Sequence, residues 1–146
     1  MKWFSSFRLA TYLLIVFCAG HTLGGMLGQK SLGAQSDAVF AEMKSVHFVF
    51  NGSDVTWYGF WFGFGLMASV FLLLSAFVSW QFSNIRPGDW RHVESIAWAF
   101  VLANGINAYF SFRYFFVVPG VFATAITALL ALGTMRKRTA ASSAAS

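Results

Sequence analysis

Charge is what this chain has least of. Only 10% of its 146 residues are Asp, Glu, Lys or Arg, where a soluble domain carries about a quarter, and that shortage excludes an ordinary solvated surface. Cysteine occurs once, as Cys18, which excludes an internal disulfide framework and any CxxC or CxxCH metal or haem attachment. No P-loop, HExxH or GxSxG motif and no carboxylate dyad is present, so the enzyme classes carried by those motifs find no support. Period-2 alternation does not run through the apolar segments, which argues against a transmembrane barrel.

What remains is apolar: 58% of the residues, with four charge-free stretches at 9–29, 55–85, 95–112 and 114–135. At about 1.5 Å per helical residue each crosses, or nearly crosses, a hydrocarbon core of about 30 Å. Lipid offers backbone amides no partner, so helices are expected. The spans predicted are about 8–28, 54–82, 90–113 and 118–136, the first preceded by an interfacial Trp3-Phe4. Lys2 and Arg8 lead into the first run as in a signal peptide, but the run outlasts an h-region and lacks a small-x-small cleavage site. Proline occurs twice, in the turn Arg86-Pro87-Gly88-Asp89 and as Pro119 in the first turn of the last span.

The net charge of +5 and pI of 9.8 would suit nucleic acid, but the charges sit at span ends and no nucleic-acid partner is expected. With a cytoplasmic N-terminus, Lys2, Arg8, Arg86, Arg91, Arg136, Lys137 and Arg138 fall inside, while Lys30, Lys44 and Arg113 fall outside. Seven against three follows the positive-inside rule. The location expected is therefore a bacterial inner membrane, multi-pass, with both termini cytoplasmic.

In the first outer loop, Val39, Phe40, Met43, Val46 and Phe50 recur at spacings of three and four, predicting an amphipathic helix over residues 37–50 capped by Ser36 or Asp37. Asn51-Gly52 makes a turn, and Ser53 or Asp54 is expected to cap the second span. Residues 139–146 read as a disordered cytoplasmic tail. The fold expected is all-α, an integral membrane four-helix bundle in one domain over residues 1–138.

Packing between spans in lipid relies on small residues and interhelical hydrogen bonds. Gly20, Gly24 and Gly28 on the first span and Gly59 and Gly63 on the second have GxxxG spacing. His21, Asn104 and Asn107 share a layer about 18 to 22 Å from the cytoplasmic ends and form the candidate polar core or ligand site. His21 can be an interhelical strut, a ligand- or proton-handling group, or a metal ligand. Asp54, Trp57 and Arg113 form an outer-face cluster in which Asp54 and Arg113 can pair.

The run GHTLGG, the entry Asp54-Val55-Thr56-Trp57-Tyr58 and the following Gly63-Phe64-Gly65 resemble a family of uncharacterised small four-helix bacterial inner-membrane proteins. The resemblance covers the chain to the end of the last span and implies the same four-span architecture, without an activity. The function expected is non-enzymatic: binding of a hydrophobic ligand, lipid or quinone, or service as an accessory subunit beside other membrane subunits. The alternative is a membrane-embedded enzyme acting on a lipid, with His21 as acid or base. No catalytic residue, metal site or cofactor is assigned.

Overall fold

The structure is a computed structural model and describes residues 5–143; Lys2 and the Trp3-Phe4 anchor lie outside the described residues. Most of the described residues, 83%, are helical. In order come α1 (Ser6–Ala19), a π-helical segment (Gly20–Leu27), α2 (Ala34–Ser45), strands β1 (His47–Phe50) and β2 (Ser53–Thr56), α3 (Trp57–Asn84), a 3₁₀ turn (Pro87–His92), α4 (Glu94–Tyr114) and α5 (Val117–Ser143). Three stretches, Ser6–Leu27, Trp57–Asn84 and Val117–Ser143, are long and apolar enough to cross a membrane. The remaining long helix, α4, carries Asn104 and Asn107 near its middle, and these dilute its hydropathy.

The all-α expectation needs one correction. Residues 47–56 form an antiparallel hairpin with His47 paired to Thr56 and Phe50 to Ser53. Asn51 and Gly52, at φ of 50° and 82°, supply the two left-handed residues that a type I′ turn requires. The amphipathic helix expected over residues 37–50 is therefore α2, which ends at Ser45. Strand geometry wins because it puts Phe48 and Phe50 on one face: Phe48 lies 4.8 Å from the Trp57 ring, and Phe50 meets Phe60 edge-on at 5.6 Å.

Helix boundaries shift for identifiable reasons. Thr56, rather than Ser53 or Asp54, caps α3, its Oγ1 accepting from the Gly59 amide at 3.0 Å. Asp37 does not cap α2 but accepts from Ser31 Oγ at 2.6 Å from within the first turn. The third span expected from residue 90 begins at Glu94, because Pro87-Gly88 starts a 3₁₀ turn first. The disordered tail expected from residue 139 is helix as far as Ser143.

The chain forms two compact units, Met1–Phe17 with Leu72–Ser146, and Cys18–Phe71. The larger holds the core, where Phe7, Leu14, Phe82, Trp90, Ile126 and Leu130 are buried. There Ser79 Oγ donates to the Phe7 carbonyl at 2.7 Å, tying α3 to α1. A Cβ on Gly133 would stand 2.9 Å from the Phe7 ring, so α5 approaches α1 as closely as a missing side chain allows. Helices α4 and α5 run side by side, the Phe112 ring lying over the Gly120 backbone and Thr127 against Gly105. In the smaller unit α2 sits on the start of α3, with Phe40 edge-on to Trp61 at 5.4 Å and Lys44 4.6 Å over the Tyr58 ring.

Candidate functional site

The best-defined polar cluster within the apolar helices surrounds His21, in the smaller unit. It begins with a backbone departure: residues 20–27, sequence GHTLGGML, close i→i+5 turns in place of α-helical ones. Gly20, Gly24 and Gly25 favour that departure, since glycine stabilises α-helix least among the non-proline residues. π-helical turns are rare and concentrate at functional sites.

The half-buried His21 ring places Nε2 2.9 Å from the Gly65 carbonyl oxygen on α3. A carbonyl can only accept, so Nε2 carries the proton and donates. In the neutral ring Nδ1 is then an unprotonated acceptor, and no hydrogen bond occupies it among the described residues. A Cβ on Gly25 would lie 4.0 Å from Nδ1; with glycine there, the space beside that nitrogen is open.

Neighbouring groups hold the ring's support in place. Thr22 Oγ1 donates to Ser69 Oγ at 2.7 Å, and Ser69 Oγ donates to the same Gly65 carbonyl at 3.3 Å. Cys18 Sγ donates to the Ser69 carbonyl at 3.4 Å. Met26, 5% exposed, lies so close over Gly65 that no side chain would fit there. A chain of hydroxyls and a thiol thus fixes the acceptor on which His21 depends.

Each of the other expected site residues has contacts within its own unit. Asn104 Nδ2 donates to the Phe100 carbonyl of its own helix at 2.9 Å, and Asn107 is exposed. Asp54 pairs with His47, Oδ2 to Nδ1 at 3.0 Å, while the Arg113 guanidinium lies 5.2 Å over the Tyr114 ring. Trp57 packs against Phe48 with the rings tilted by 34°. Around Gly20, Gly24 and Gly63 a Cβ would meet nothing within 4 Å; Gly59 has the Thr56 hydroxyl at 3.3 Å, and Gly28 faces the Leu23 carbonyl of its own segment. Sequence reasoning missed Gly65, whose carbonyl is the site's acceptor, and His47. The Asn51-Gly52 turn flanked by alternating residues was the available signal for the hairpin that pairs His47 with Asp54.

No protein-family model matches the chain, and neither does any curated protein or solved structure.

Proposed function

We propose that the chain is an integral protein of a bacterial inner membrane, four spans in a bundle with both termini cytoplasmic, which binds a hydrophobic ligand beside His21 and catalyses no reaction. The observation that carries the binding reading is the His21 Nε2 donation to Gly65, which leaves Nδ1 as an accessible acceptor next to a glycine. The ligand chemistry follows from that acceptor. A lipid hydroxyl or a quinol hydroxyl can donate to Nδ1, whereas a quinone, with carbonyls alone, cannot.

Membrane integration is supported by what the helices leave uncovered. Only 17% of the most apolar stretch of α3 is buried within the protein, and Phe64, Val70, Phe71, Leu73 and Phe77 are each more than half exposed. Such a surface suits an apolar solvent. The fourth span is supported by α4 lying along α5, with Arg138 Nε 3.4 Å from Glu94 Oε1 bringing the start of one beside the end of the other. If α5 crosses, α4 crosses with it.

Gentle purification followed by mass spectrometry of bound lipids and quinols tests the binding reading. Wild type is expected to retain a hydroxyl-bearing amphiphile that His21→Leu loses; equal retention by both overturns it. The accessory-subunit reading draws on the open faces at Gly20, Gly24 and Gly63, where another helix can approach closely. Co-purification of a stoichiometric membrane partner would favour it.

A further inference from the structure

The larger unit gathers six of the chain's ten Lys and Arg residues at one end. Arg136 Nη1 donates to Ser6 Oγ at 3.2 Å, joining the end of α5 to the start of α1. Lys137 Nζ donates to the carbonyls of Ser83 and Ile85, joining α5 to the end of α3. Arg138 reaches Glu94 at the start of α4, and Arg8 lies 4.9 Å over the Trp80 ring. The 3₁₀ turn carrying Arg91, just after Arg86, is anchored here too. Its Trp90 is fully buried, with ring centroids 5.7 Å from Phe7 and 5.9 Å from Phe82.

Six cations thus share this end with two acids, Asp89 and Glu94, leaving a net charge of +4. The one ion pair among them uses Glu94, and Arg86 and Arg91 are exposed with no acidic partner among the described residues. Positive-inside topology accounts for the side on which these charges lie, but does not require a rigid frame. Here helix-end contacts hold Arg136, Lys137 and Arg138, and a buried tryptophan anchors the turn that carries Arg91, with exposed aromatic Trp80 at the level where headgroups meet acyl chains.

We infer that this end is a binding surface for the phosphate headgroups of anionic lipids, centred on Arg86 and Arg91. Guanidinium groups match phosphate oxygens in two-pronged geometry, and the anionic cytoplasmic leaflet supplies those oxygens at that depth. The inference rests on the membrane reading, though not on His21 or its ligand.

The test compares the protein in nanodiscs of phosphatidylcholine with and without phosphatidylglycerol, by thermal melting and by native mass spectrometry of retained lipid. Phosphatidylglycerol is expected to raise the melting temperature and to be retained preferentially. Arg86→Gln and Arg91→Gln should each weaken that preference by about fivefold, while Arg113→Gln, placed at the other end of α4, should leave it intact. Identical behaviour in both lipids, or an equal loss from Arg113→Gln, overturns the proposal. A melting shift reproduced by inorganic phosphate in phosphatidylcholine alone also overturns it, by showing a free-anion site. Alkaline washing of native membranes keeps the two readings apart: a chain washed off sinks the membrane reading, whereas a retained chain indifferent to lipid charge sinks this one alone.

Discussion

His47 Nδ1 sits 3.0 Å from Asp54 Oδ2, diagonally across the hairpin and on the face opposite Phe48 and Phe50. With side chains 61% and 66% exposed, the pair lies largely in solvent, where such contacts stabilise by about 0.2 to 1 kcal/mol. A double-mutant cycle of His47→Ala and Asp54→Ala in detergent, read by thermal melting, should give a coupling within that range. A larger coupling would mean that the hairpin depends on the pair rather than on its aromatic face and turn.

The turn itself should matter more. Gly52, at φ 82°, occupies a conformation that costs a residue with a Cβ about 1 to 2 kcal/mol. Gly52→Val is therefore expected to loosen the hairpin and make residues 46–56 sensitive to limited proteolysis, with Asn51→Gly as a tolerated control. Equal cleavage of both variants and wild type would contradict the type I′ assignment.

Two glycines with similar surroundings in sequence should respond oppositely. At Gly133 a methyl group would press on the Phe7 ring, which is 1% exposed and wedged among Phe82 and Trp90. Overpacking of that kind costs about 1 to 3 kcal/mol. At Gly24 a methyl group meets nothing within 4 Å, so Gly24→Ala should melt no lower than wild type. Comparable losses at both positions would show that the Gly24 face is occupied by something beyond the chain.

His21 and Gly25 separate strut from site. His21→Leu should lower stability by about 0.6 to 2 kcal/mol, the range for a membrane hydrogen bond, and also lose the ligand. Gly25→Leu fills the space beside Nδ1 without touching the Nε2 bond to Gly65. It should lose ligand while keeping its melting temperature, and ligand retained in full by Gly25→Leu removes the acceptor role of Nδ1.

Topology is checked by reporter fusions at Gly33 and after Ser143. Four spans put them on opposite sides, the second in the cytoplasm; if α4 does not cross, both report the outer side. The contact of Arg138 with Glu94 favours the first outcome.

The helices were legible because charge-free runs and their bounding Pro, Gly and charged residues are local properties. The hairpin was hidden by coincidence: Val46 and Phe50 fall at helical spacing after Phe40 and Met43, and only the Asn51-Gly52 turn argues otherwise. The π segment was illegible for another reason, since four-residue glycine spacing suits i→i+4 and i→i+5 closure almost equally. His21 could be singled out as an imidazole among apolar residues, but its partner is a backbone carbonyl, which no side chain announces. The tight glycines, Gly65, Gly120 and Gly133, depend on which ring or thioether lies opposite, as with Met26, Phe112 and Phe7. GxxxG spacing records small residues without recording their neighbours.

The bond from Arg136 to Ser6 joins residues 130 apart in sequence, and Phe7 against Gly133 spans nearly the same distance. If the chain spans a membrane as proposed, α1 enters the bilayer during synthesis long before the helix that completes its packing exists. Until α5 leaves the ribosome, the Phe7 face and the carbonyls of Ser83 and Ile85 wait for partners, exposed to lipid, to water or to whatever insertion factor shields them. Ribosome stalling before residue 133 should consequently trap a chain whose α1 still lacks its α5 contacts, and release of the last turns of α5 is the event that closes it.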